Sequence, residues 1–179
     1  NNIDSVKSLL SENKCAAIMM ELVQGEGGVM ALDKSFVNDV ISLAKENNIL
    51  VIIDEVQTGN GRSGELYAYQ AYGITPDIVS TAKGLAGGLP IGATMLFEKT
   101  EFTLKAGLHG STFGGNPIAC AGAINVISRI DNDLLSEVKA KSKYIFDELN
   151  SAEGIKSVSG LGLMIGIETE KDASEVIAE

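Results

Sequence analysis

Asp54 and Lys83 are the residues of this 179-residue chain whose types and placement most ask for chemistry. Asp54 closes the apolar run Ile49-Leu50-Val51-Ile52-Ile53, where a lone carboxylate is costly unless a cationic or protonated partner holds it ionised. Lys83 follows Ser80-Thr81-Ala82 and precedes Gly84-Leu85-Ala86-Gly87-Gly88, and such glycines let other backbone or a ligand come close. One group satisfies both residues. It is a pyridine ring whose protonated nitrogen pairs with the aspartate and whose aldehyde carbon is attacked by the lysine amine, as with pyridoxal phosphate. The spacing serves equally well a strand-end capping aspartate and a solvated surface lysine, and it leaves both readings open.

Composition removes several other chemistries. His109 is the only histidine, which leaves no histidine-based metal cluster and a single candidate for a Ser-His-Asp triad. Cys15 and Cys120 lie in apolar stretches without the density or spacing of a disulfide framework or zinc site, so they read as reduced, buried thiols and no metal is expected. A formal net charge of −10 argues against nucleic acid or an anionic membrane surface as partner, because both select a basic face. No apolar run approaches the roughly 20 residues that span a bilayer. The start, Asn1-Asn2-Ile3-Asp4, lacks the basic and apolar regions of a signal peptide, and the expected compartment is the cytoplasm. No Gly-x-Gly-x-x-Gly directly joins a strand to a helix, which disfavours a dinucleotide-binding module. With no initiator Met and an unfinished helix at Asp172 to Glu179, the chain reads as a fragment of something longer.

The elements that must position Asp54 and Lys83 alternate between helix-like and strand-like segments, the α/β signature. Asp4 or Ser5 can cap a short helix through about Asn13, and Cys15 to Leu22 reads as a strand. Asp33 or Ser35 can cap a helix in which Phe36, Val37, Val40, Ile41 and Ala44 share one face. The β-branched run at Ile49 to Ile53 predicts a strand buried on both faces. A Gly-rich turn, a helix over about Glu65 to Tyr72 and a turn at Thr75-Pro76-Asp77 then lead to the strand Ile78 to Thr81. Right-handed crossovers make these strands parallel, so Glu21, Asp54 and Lys83 fall along the edge where open α/β sheets bind ligands. The link to the next strand, Ala93 to Phe97, is too short for a helical crossover and predicts an antiparallel neighbour. Asn116 can cap and Pro117 begin a helix to about Ile130. Asp131-Asn132-Asp133 marks a boundary between a large domain, 1–130, and the beginning of a small one, 131–179. The second part holds a helix with Leu134, Leu135, Val138, Ile145, Phe146 and Leu149 on one face, and a strand pair over Ile155 to Glu168.

The strings Glu21-Leu22-Val23-Gln24-Gly25-Glu26-Gly27-Gly28, Asp54-Glu55-Val56-Gln57-Thr58-Gly59-Asn60-Gly61-Arg62-Ser63-Gly64, Thr81-Ala82-Lys83-Gly84 and His109-Gly110-Ser111-Thr112-Phe113-Gly114-Gly115-Asn116-Pro117 are similar, in this order, to the motifs of the class III (ω-amino acid) aminotransferases. The resemblance runs from about Cys15 to Glu168 and leans toward the acetylornithine/ornithine group. It implies a fold-type I α/β architecture, a mostly parallel central sheet with helices on both faces, followed by the start of a small C-terminal α+β domain. It implies pyridoxal 5'-phosphate as cofactor, a small-molecule amino acid and 2-oxoglutarate as substrates, and a homodimer with a shared active site.

Residue by residue, the resemblance implies that Asp54 holds the ring nitrogen protonated, Val56 packs on a ring face and Gln57 bonds the ring's phenolic oxygen. Lys83 carries the cofactor as a Schiff base and then moves the substrate proton. Thr112, with Ser111 beside it, reaches the cofactor phosphate of the neighbouring subunit. Glu26 pairs with an active-site arginine and swings to admit 2-oxoglutarate. His109-Gly110-Ser111-Thr112 and Gly162-Leu163-Met164-Ile165-Gly166 favour acetylornithine as donor, with ornithine or 4-aminobutyrate as alternatives and an inactive structural domain as a further one. Arg62 reads as structural and His109 as a loop hydrogen-bonding residue. Ser159 stands where the family pattern has Arg, which predicts a lost structural contact, and Leu22 replaces a Pro. The family's phosphate cup, ring-stacking aromatic and carboxylate-gripping arginine fall outside these residues, so the chain alone is not expected to be competent.

Overall fold

Strand-forming runs set the middle of the molecule, as a computed structural model describing residues 1–178 shows. β1 (Ala17–Met20), β4 (Leu50–Asp54), β5 (Ile78–Thr81) and β6 (Ala93–Leu96) form a sheet in the order β1-β4-β5-β6. The first three strands are parallel and β6 is antiparallel to β5. Short β2 (Val23–Gln24) and β3 (Met30–Ala31) make a separate antiparallel ribbon.

The strand β4 is less enclosed than its continuous apolar run suggests. Val51 and Ile53 are buried on one face, while Ile52 and Asp54 on the other are half-buried. The enclosed face packs with Val37 and Ala44 of α2 (Lys34–Glu46), Ala68 and Tyr72 of α3 (Ala68–Tyr72), and Val79 of β5. Each Val or Ile side chain among these, fully removed from water, contributes roughly 1.5–3 kcal/mol, and each Ala less. The Tyr72 hydroxyl closes this layer by bonding the carbonyls of Leu22, at 3.1 Å, and Leu32, at 2.7 Å.

Caps decide where the helices begin. In α1 (Ile3–Glu12) the cap is Asn2, whose Oδ1 accepts the Ser5 N–H at 3.1 Å, and not Asp4 or Ser5. Asp33 precedes α2 as expected but makes no side-chain cap bond. The helix expected from Glu65 starts only at Ala68, because the Glu55 carboxylate takes the N–H groups of Ala68 and Tyr69 and fixes the first turn there. Asn116 caps α4 (Pro117–Ile127), which stops short of Ile130, and Asp131 caps α5 (Asn132–Asn150).

On α5 the inward face is Leu135, Val138, Ile145, Phe146 and Leu149. Leu134 is left 40% exposed, against the expected pattern, since it sits in the first turn beside the cap. α5 lies against an antiparallel hairpin, β7 (Ile155–Leu161) and β8 (Met164–Thr169), whose β7 also meets β3. α6 (Ala173–Ala178) follows. Ser159 makes a contact of its own in place of the one expected to be lost: its Oγ donates to the Gly28 carbonyl at 3.2 Å. No helix of the described residues is long and apolar enough to cross a membrane.

Candidate active site

The parallel strands β4 and β5 end side by side, Asp54 in register with Ser80, so the residues just after them share one rim. Lys83 begins a short 3₁₀ turn, Lys83–Ala86, with φ +48°. A non-glycine residue in the left-handed region costs on the order of 1–3 kcal/mol and persists only where its surroundings hold it. Asn60 supplies part of that hold, its Nδ2 donating to the carbonyl of Ala82 at 3.1 Å. The Lys83 amine is exposed and makes no hydrogen bond or ion pair among the described residues.

Asp54 and Glu55 show how strand alternation separates adjacent carboxylates. Asp54 Oδ1 accepts the Val56 N–H at 2.9 Å, the capping bond that the sequence left open, and its other oxygen has no partner among the described residues. Glu55 points into the enclosed layer. It is fully buried and accepts from the Thr58 hydroxyl, from Ala68 N–H at 3.0 Å and from Tyr69 N–H at 2.8 Å. Burial pushes its carboxyl above the usual value. Its hydrogen bonds pull the other way, and the neighbouring Asp54 charge adds to the rise. The structural weight of Glu55 is not marked by any local sequence signal other than the period of two carried past the end of β4.

Glu26, Gln57, Arg62 and Lys83 line one cavity of about 390 Å³, together with Val29 and Leu163. An adjoining cleft of about 250 Å³ shares Gln57, Arg62 and Lys83 and adds Val56 and Asn60. None of the side chains of Glu26, Gln57, Arg62 and Lys83 has a hydrogen-bond or ion-pair partner among the described residues. Gly25 lets the Gln57 carboxamide lie against the Glu26 turn, since a Cβ there would overlap it. Arg62 does more than the structural part expected of it. Its carbonyl accepts the Leu163 N–H at 2.9 Å, anchoring the β7–β8 hairpin, while its side chain faces the cavity of Lys83.

Ser111 and Thr112 are not among the residues lining the cavities of Lys83. Ser111 lines a separate cavity of about 330 Å³ with Pro90, Phe113 and Asn116, and its Oγ accepts the Gly114 N–H at 3.0 Å. His109 borders a further cavity of about 550 Å³ with Val56, Ser80 and Thr81. The buried Ser80 Oγ and Thr81 Oγ1 have no hydrogen-bond partner among the described residues. The chain therefore brings Glu26, Val56, Gln57 and Lys83 around adjoining cavities, keeps Asp54 one hydrogen bond from Val56, and holds Ser111 and Thr112 elsewhere.

Comparison with known proteins shows the family and the fold. Acetylornithine aminotransferase of Haemophilus ducreyi is 48% identical over 171 residues, covering 96% of this chain and 44% of that protein. Succinylornithine transaminase of Yersinia pseudotuberculosis is 46% identical, over 93% of this chain and 41% of its own length. Among solved structures, acetylornithine aminotransferase from Elizabethkingia anophelis superposes with a TM-score of 0.86 at 34% identity, over 99% of this chain and 49% of that one. Ornithine aminotransferase from Plasmodium yoelii gives 0.83 at 32% identity, over 94% and 47%. The chain thus spans less than half the length of these relatives. The family model described as aminotransferase class-III matches residues 1–179, and with its mostly parallel, helix-flanked sheet the chain belongs to the class III aminotransferases of the fold-type I α/β architecture.

Proposed function

We propose that the protein to which this chain belongs is a pyridoxal 5'-phosphate-dependent aminotransferase. In this reading it moves the distal amino group of N-acetylornithine, or a closely related ω-amino acid, to 2-oxoglutarate, giving the semialdehyde and glutamate. The observation that carries the reading is the cavity at the strand ends lined by Glu26, Gln57, Arg62 and Lys83, whose side chains have no hydrogen-bond or ion-pair partner among the described residues. The names borne by the H. ducreyi and E. anophelis relatives support the choice of donor.

The donor set fits the cofactor. Asp54 keeps one carboxylate oxygen at the rim without a partner among the described residues, which suits a protonated ring nitrogen, and Gln57 offers a carboxamide to a ring oxygen. Val56, between the cleft of Lys83 and the cavity of Ser80, would pack on a ring face. When bound, the cofactor supplies an electron sink for the charge left when the substrate C–H bond breaks. Lys83 Nζ would carry the cofactor and then act as the base and acid at the substrate carbon. Glu26 would neutralise an arginine while the amine substrate is bound and release it to a dicarboxylate.

A homodimer with a shared site belongs to the same reading. Phe102, Phe113, Ile118 and Ile124, within one stretch of the sequence, are 81%, 82%, 72% and 70% exposed, and large apolar side chains left in water suit a surface that a partner covers. Ser111 and Thr112 lie in the same stretch and would face the partner's cofactor phosphate. The central assignment is tested by borohydride reduction of the holoenzyme followed by peptide mapping. The label is expected on the peptide with Lys83, and a label on Lys99 or Lys105 instead would overturn it.

A further inference from the structure

Glu26 sits in the turn Gly25 to Val29 that joins β2 to β3, a ribbon of two residue pairs, Val23↔Ala31 and Gln24↔Met30, extended by the Leu32 N–H bonding the Leu22 carbonyl at 2.9 Å and closed at the turn by a long bond, 3.4 Å, from the Val29 N–H to the Gly25 carbonyl. So short a ribbon does not fix its own turn. Val29 moreover has φ +56°, a conformation that a β-branched residue adopts only when its neighbours impose it. The neighbour is the β7–β8 hairpin, far away in sequence. Ser159 Oγ donates to the Gly28 carbonyl at 3.2 Å. Gly166, paired with Ser159 across the hairpin, has no room for a side chain: a Cβ there would stand 2.5 Å from the Gly28 oxygen and 3.0 Å from Val29 Cβ. A Cβ on Gly160 would likewise come within 3.1 Å of Val29 Cγ1. The turn, whose own Val29 N–H to Gly25 carbonyl bond and Gly25 N–H to Glu21 carboxylate bond are long at 3.4 and 3.5 Å, rests in a notch floored by glycines, and from the hairpin one hydroxyl latches it.

We infer that Ser159 is a positioning residue for Glu26. By holding Gly28 it sets where the carboxylate stands relative to Arg62 and Lys83, and so how the site divides its preference between an amine-tipped donor and a dicarboxylate. This inference rests on the reading of Glu26 as a gate. A latch of one hydroxyl also suits a turn that must shift between two substrates, because one hydrogen bond can be exchanged at modest cost.

The test uses the holoenzyme in single-turnover spectroscopy, with N-acetylornithine for one half-reaction and 2-oxoglutarate for the other. Ser159→Ala is expected to lower the ratio of the donor to the acceptor specificity constant by about 2- to 10-fold, the loss of one hydrogen bond. Ser159→Thr, which keeps the hydroxyl, should restore the ratio. Glu26→Ala should lower the same ratio by roughly 5- to 150-fold, and Ser159→Ala added to it should change nothing more. Amide hydrogen exchange over residues 25–29 should quicken in Ser159→Ala while that of β4 and β5 stays as it was. If Glu26→Ala shifts the ratio but Ser159→Ala does not, or if exchange over 25–29 is unchanged, the latch is wrong and the gate survives. An additional shift by Ser159→Ala in the Glu26→Ala background also overturns the latch. If Glu26→Ala leaves the ratio alone, the gate falls and the latch with it.

Discussion

Glu55 and Glu26 each follow closely on a strand and stand in opposite circumstances. Glu55 is enclosed, with both oxygens engaged by a hydroxyl and two backbone N–H groups, and it holds the start of α3 in place. Glu26 is exposed, in a turn, beside a lysine, an arginine and a carboxamide, and none of these four side chains has a hydrogen-bond or ion-pair partner among the described residues. The contrast teaches where to look for chemistry at a sheet edge. Polar groups that satisfy one another build the edge, and those left over along it are available to a ligand.

The contrast breaks most readily at its strongest point. Lys83→Ala should cost the whole protein about 10²- to 10⁴-fold in turnover, the usual worth of a positioned proton-transfer group, with little change in folding. Stopped-flow assays paired with thermal melts check this, and turnover within tenfold of wild type would end the active-site reading. Asp54→Asn should follow at about 10²- to 10³-fold, since it removes the charge beside the ring. That loss should fall on kcat and kcat/KM alike with cofactor still bound, and near-normal turnover would leave Asp54 as a cap and nothing more.

Glu55→Gln is expected to leave chemistry largely alone and to cost about 1–3 kcal/mol of stability, because an amide N–H would face a backbone or hydroxyl donor. Its dependence on pH sharpens the comparison. The Glu55 carboxyl is raised above 4.5, so the folded chain holds that proton more tightly than the unfolded one. Its contribution is complete below the ordinary value and is lost as pH rises through the raised one. The stability gap between wild type and Glu55→Gln, from denaturant midpoints, should therefore be widest at low pH and narrow as pH increases. Glu26→Ala should be the smallest effect, within about 0.5 kcal/mol of wild type in the same denaturation experiment. A loss as large as that of Glu55→Gln would show that both glutamates are structural.

Much of this was legible locally. The β-branched run before Asp54, the short glycine-rich link before Ala93 and the Asp131 break each announced an element, and the structure has β4, an antiparallel β6 and the capped start of α5 at those places. The motif strings placed Glu26, Gln57 and Lys83, which the fold gathers around one cavity. What stayed hidden depends on partners distant in sequence. The late start of α3 depends on Glu55, which no helix-cap pattern places so far upstream. The contact of Ser159 with Gly28 joins segments on opposite sides of the chain's middle, and substitution of an expected arginine suggested only a loss there. Arg62 looked structural because its main chain is, and its side chain's place at the cavity depends on a loop path that spacing does not reveal.

The close fit of hairpin to turn has a consequence for how this protein tolerates change. Gly160 and Gly166 carry no reactive group, yet any side chain at either would press on the backbone of the Glu26 turn or of the hairpin itself. A scan of all single substitutions would mark these positions as intolerant on the same scale as Lys83. A count of damaging variants would not tell the two kinds of position apart. Colour would: protein that folds but loses the yellow of the lysine-bound cofactor points to Lys83, whereas variants at the glycines should accumulate poorly or emerge coloured with the balance between their two substrates disturbed.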